Sequence, residues 1–104
     1  MSTSAILIAL RTDLAYLRDI LTLHNTAYNA IDSALVSAIH LSENDLRDCA
    51  QNMFPGEIRN DRRVWQQILE CMGRVRAQIR YTEMNMALIE REIRELEAHG
   101  GSSR

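Results

Sequence analysis

Three histidines, two cysteines and twelve arginines are the side chains of this chain best suited to chemistry. His24, His40 and His99 stand far apart, and no HxxxH, HExxH or ExxH spacing links them. Glu95 and His99 share a helical spacing of four, but two ligands fall short of the three or four a zinc site needs. No metal and no cofactor is predicted. Cys49 and Cys71 have no CxxC spacing and no base beside them, so both are read as free thiols of a reducing, cytoplasmic compartment. Met72, Met84 and Met86 are read as gap fillers of a core. A phosphate-cradling loop needs clustered glycines, and the body of the chain has only Gly56 and Gly73.

The arginines are unevenly spread. Residues 57–80 hold six of them against three acids, giving +3, whereas residues 1–56 hold three Arg and six acids, giving −3. Arg59, Arg62, Arg63, Arg74, Arg76 and Arg80 form the cluster, and Arg62, Arg63 and Arg76 have no acid at helical spacing. Two readings follow. Asp13, Asp19, Asp32, Asp45 and Asp48 neutralise the cluster, within the chain or across a dimer. Alternatively Arg59, Arg62, Arg63, Arg76 and Arg80 receive a small anionic ligand or an acidic partner, since guanidinium suits bidentate anion recognition.

An opposite feature lies upstream. From Ile20 to Ser42 the only formal charge is Asp32. The face carrying Thr22, Thr26, Asn29, Ser33, Ser37 and His40 is small, polar and uncharged. Burying a hydroxyl needs one hydrogen-bond partner, whereas burying an unpaired charge is far more costly. The stripe is therefore predicted to be an interface with another protomer or a target.

One short motif resembles a known family. Arg18-Asp19-Ile20-Leu21-Thr22-Leu23-His24 matches the R-[N/D/H]-x4-H signature of HEPN ribonucleases. The resemblance covers seven residues. It implies a small helical bundle that dimerises around a composite RNA-cleaving site, with His24 as acid/base and Arg18 holding phosphate. The other reading makes His24 a polar notch in a helical seam and Arg18 part of a solvated face.

The elements that position these residues are written in the apolar spacing. Leu7, Leu14, Leu21, Tyr28 and Leu35 repeat every seven, and Leu10, Leu17, His24, Ile31 and Ala38 fill the second seam row. Ile6, Ile20, Ala27, Ala34 and Leu41 widen that stripe. A helix over about 5–41 is predicted, with a kink near 24–29 where weak helix formers gather. Ser42 caps a short helix over 43–53, which Phe54-Pro55-Gly56 ends. A last helix over 57–98 carries Ile58, Trp65, Met72, Ile79, Met86 and Ile93, with Ile68, Val75, Thr82, Ile89 and Leu96 beside them. Trp65 and Ile79 are predicted to be buried. Residues 100–104 are predicted to be a flexible tail after a single domain over 1–99.

The fold class predicted is thus all-α: a long heptad-patterned hairpin with a short connecting helix. The leftover apolar residues Ile8, Val36, Val64, Leu69 and Leu88 predict completion of a four-helix-type bundle by oligomerisation. Apolar residues at 46% and charged residues at 25% suit a folded domain. A net charge of −2 argues against general nucleic-acid binding. No segment reaches the roughly 18–20 apolar residues of a membrane span. Every basic residue is Arg, a bias of GC-rich genomes that fits a bacterial or phage source. The expected function is a non-enzymatic helical interaction protein: an oligomerising adaptor, inhibitor or ligand-sequestering protein whose partners are itself and a protein target or small anion.

Overall fold

The computed structural model describes the backbone of residues 2–102 and the side chains of residues 2–99. All regular structure among them is helical: α1 is Thr3–Ala38, α2 is Glu43–Met53 and α3 is Val64–Ser102. No break interrupts α1, although a kink was expected near residues 24–29. Propensity differences of a few tenths of a kcal/mol per residue are outweighed there by the tertiary cover of Tyr28, Ile31 and Leu35. α1 stops three residues short of the expected boundary, where Leu41 N donates to Ala38 O at 3.0 Å. The backbone of α3 continues through Ser102, into the stretch expected to be a tail; residues 103–104 lie outside the described residues.

α2 begins as its sequence predicts. Asp45 N donates to Ser42 Oγ at 3.2 Å, and Glu43 and Asp45 sit in the first turn. Its end is a tight turn in which Glu57 N donates to Phe54 O at 3.1 Å. Pro55 and Gly56 are the central residues, and Gly56 has φ +77°, which glycine adopts without strain.

The start of α3 differs from expectation. Residues 57–63 are a loop, so Ile58 packs against the core from outside any helix. Two side chains bind the backbone of this loop. Gln67, only 3% exposed, accepts from Arg59 N and donates to the carbonyl oxygens of Arg59 and Arg62. Arg47 of α2 donates to the same two carbonyls. Glu43 then acts as a cap from a distance: Val64 N donates to its Oε1 at 3.1 Å.

The chain forms two compact units, Met1–Leu23 with Ile79–Arg104, and His24–Gln78. In the first, a narrow seam joins α1 to α3. Leu14, Thr82 and Ile93 are buried, while Leu7, Leu10, Leu17, Leu21, Met86, Ile89 and Leu96 are half-buried. Arg11 Nη2 lies 3.3 Å from Glu97 Oε1 across that seam, both exposed. Ile79 is half-buried rather than buried.

The second unit has three helical segments and the deeper core: Leu35 and Ala38 of α1, Leu46 and Ala50 of α2, Phe54, and Val64, Ile68, Cys71 and Met72 of α3. Here α3 buries a broader face. Val64, expected to be a leftover, is fully buried, and Trp65, expected inside, is 37% exposed. The reason is α2. Packing a third helix turns the Val64–Ile68–Cys71 row inward and leaves Trp65 at the rim. The flanking row expected on α1 is covered only in part, since Ile6 and Ile20 are half-buried but Ala27, Ala34 and Leu41 are exposed.

Candidate functional site

The clearest concave feature lies wholly within the second unit. α1 contributes Asp32 and Val36, the turn just after it contributes Ile39, and α3 contributes Trp65, Leu69, Met72 and Arg76. Spacings of three and four align each set on one helical stripe. Leu35 and Met72 form the floor, and Tyr28 closes one end. The groove holds about 480 Å³. Its walls are apolar and open: Val36 is 70% exposed, Leu69 63% and Ile39 59%. Exposed apolar residues scattered singly are ordinary; here they form a contiguous lining.

Charge is confined to the Tyr28 end. Arg76 Nη2 donates to Tyr28 Oη, and the guanidinium carbon sits 5.5 Å from the Tyr28 ring centroid. The hydrogen bond to Tyr28 pushes the guanidinium pKa further up, so Arg76 is a fixed cation. Asp32 lines the opposite wall on α1, and no ion pair engages it among the described residues.

The neutral stripe is exposed along its whole length: Thr22 in the first unit, and Thr26, Asn29, Ser33, Ser37 and His40 in the second. Thr22 Oγ1 donates to Arg18 O at 3.0 Å, one turn back. In the second unit Thr26, Asn29, Ser33 and Ser37 occupy the next face of α1 round from Asp32 and Val36, so the stripe borders the groove.

The arginine cluster does not converge on one point. Arg59 pairs with Asp61 at 3.0 Å, and Arg62 with Glu70 at 2.8 Å. Arg74 Nη2 lies 3.6 Å from Glu57 and donates to Cys71 Sγ at 3.1 Å. Arg76 is held by Tyr28, and Arg63 and Arg80 are exposed. The neutralising acids are therefore local ones, Asp61, Glu70 and Glu57, rather than the aspartates of the first half. Residues 57–63 are loop, which brings Arg62 within reach of Glu70. Arg59 holds the Asp61 carboxyl below its usual range, and Asp61 raises the Arg59 guanidinium in turn.

Arg18 is exposed in the first unit, and His24 is half-buried on the α1 seam in the second. Cys71 is buried and Cys49 half-buried, both free thiols. Burial pushes the Cys71 thiol pKa up, against the pull of Arg74. Among the described residues no three His, Cys, Asp or Glu side chains gather as metal ligands, and no helix is long and apolar enough to cross a membrane.

Sequence reasoning had Val36 and Leu69 as apolar residues without a partner, but not their convergence with Ile39, Trp65 and Arg76. The available signal was the run Trp65, Leu69, Met72, Arg76, an apolar stripe that ends in a cation. Compared with protein families, curated proteins and solved structures, the chain matches none of them.

Proposed function

We propose that this chain is a non-enzymatic helical interaction protein whose groove, between α1 and α3 of the second unit, receives a helix. One observation carries the reading: two helical stripes expose contiguous apolar walls along an open groove about 480 Å³ in volume. An amphipathic helix laid there meets anchors at the spacing of its own turns. The neutral stripe beside the groove extends the contact without stranding charges. The mechanism is stoichiometric, covering or tethering a partner, as an adaptor or inhibitor does. Arg59 and Arg62 are paired with local acids, so a small anion would meet only Arg63, Arg76 and Arg80 of the cluster. Two free thiols suit a reducing compartment, and we place the protein in the cytoplasm of a bacterium or of a phage-infected cell.

The test compares three forms of the purified chain: wild type, Leu69→Asp in the groove, and Leu88→Asp at an exposed apolar site of the first unit. Binding partners, including the chain itself, are quantified by crosslinking and mass spectrometry. The reading expects Leu69→Asp to lose them and Leu88→Asp to keep them. Equal partner sets for all three forms would sink it. In parallel, RNA incubated with wild type and His24→Ala should stay intact; cleavage that depends on His24 would instead support a HEPN-like ribonuclease using Arg18 and His24.

A further inference from the structure

The groove's own charges say what fits it. We infer that its occupant is a second copy of this chain, seated groove to groove about a twofold axis parallel to the helices. The inference rests on the groove reading above and adds the partner and its orientation.

Within the second unit α1 and α3 run antiparallel. Tyr28 meets Arg76 at one end, and Ile39 and Trp65 line the other. Asp32 stands on the α1 wall and Arg76 on the α3 wall, toward the same end. Tyr28, one turn before Asp32 on α1, holds the Arg76 guanidinium, so the two charges lie on opposite walls within about a turn of each other at the Tyr28 end.

Two facing copies can be related by a twofold axis that runs along the helices or across them. An axis along the helices lays α1 of each copy over α3 of the other. Asp32 of each copy then faces Arg76 of the other, twice by symmetry. Val36 faces Leu69, and Ile39 faces Trp65. Every neighbouring pair of helices is antiparallel, as in an up-down four-helix bundle. An axis across the helices stacks α1 on α1 and brings Asp32 over Ile39. That leaves a carboxylate covered and unpaired, which is strongly disfavoured. The charge pattern selects the first arrangement. Gly73, one turn from Leu69 and Arg76, leaves room on this face: a Cβ there would meet nothing within 4 Å in this chain.

The experiment uses the full chain in sedimentation and native mass spectrometry, with Trp65, the only tryptophan, as an optical reporter. Wild type should be a dimer whose Trp65 emission shifts to the red on dilution. Asp32→Arg alone and Arg76→Asp alone should each weaken self-association by at least about tenfold, since each places like charges together twice. Mixing the two variants should restore a dimer, now one copy of each, with both pairs again opposite in charge. Circular dichroism of each variant establishes that its helices are intact. A wild type that stays monomeric at its highest soluble concentration overturns the inference while leaving the groove free for another protein. A dimer indifferent to Leu69→Asp, or charge variants that do not recombine, overturns it as well. If a charge variant fails to fold, Asp32→Asn and Arg76→Gln replace it, and both must weaken the dimer.

Discussion

Gln67 and Arg59 are joined by a reciprocal pair of hydrogen bonds: Gln67 Oε1 accepts from Arg59 N at 2.6 Å, and Gln67 Nε2 donates to Arg59 O at 2.9 Å. The buried amide imitates a neighbouring peptide group and fixes the loop that leads into α3. Gln67→Leu keeps the volume and strands Arg59 N. It should lower stability by roughly 1–3 kcal/mol, the cost of an unsatisfied buried polar group. Urea unfolding would measure this, and an unchanged midpoint would mean the loop is held without Gln67.

Burial separates two residues that share the same α3 pattern. Ile68 is fully buried in the second unit, whereas Ile79 is half-buried in the first. Ile68→Ala should cost about 2–5 kcal/mol and Ile79→Ala clearly less. Thermal unfolding of both variants checks the order; the reverse order would contradict the division of the core described above.

The two cysteines should differ in reactivity and in their effect on pH dependence. Cys49 should be alkylated well before Cys71 in the folded chain, as mass spectrometry over time would reveal. The raised pKa of Cys71 keeps its proton on while the unfolded chain ionises. Its contribution is therefore complete below the ordinary thiol range and declines as pH rises through that range toward the folded value. Cys71→Ala should show a shallower alkaline loss of stability than wild type. Identical slopes would remove Cys71 as the cause.

Two glycines should respond with opposite signs. Gly56 has φ +77°, so Gly56→Ala is strained and should destabilise by about 1 kcal/mol. Gly73 is helical with open space around its missing Cβ, so Gly73→Ala should stabilise the isolated chain by roughly 0.5–1 kcal/mol. Denaturant titrations at low protein concentration read both.

The α1 seam was legible because every residue of its two heptad rows, from Leu7 to Ala38, is buried or half-buried. Periodicity alone reports which face of a helix is covered. It does not report where a helix starts when tertiary bonds decide. Ile58 sits on the seven-residue spacing of α3, yet Gln67 and Arg47 hold its segment as loop. Val64 and Trp65 exchanged roles for a related reason: a third helix rotates which row points inward, and α2 acts from outside the repeat. Val36 and Leu69 were legible as unmatched apolar residues. Their meeting in one groove was not, since convergence depends on how two helices are set side by side.

The glutamate of α2 that caps α3 has a consequence for the order of assembly. Glu43 and Val64 are separated by 21 residues along the chain. Tyr28 and Arg76 are separated by 48 residues, and Arg11 and Glu97 by 86, the difference of their numbers. Closing a longer stretch of chain costs more entropy when nothing inside it has formed. The cap and the turn beside it are thus the cheapest tertiary contacts to make first, and each later contact closes only the short remainder. Folding is therefore expected to run as a zipper from residues 43–64 toward both termini. Amide exchange should accordingly be slowest in the second unit, with the seam of the first opening more readily.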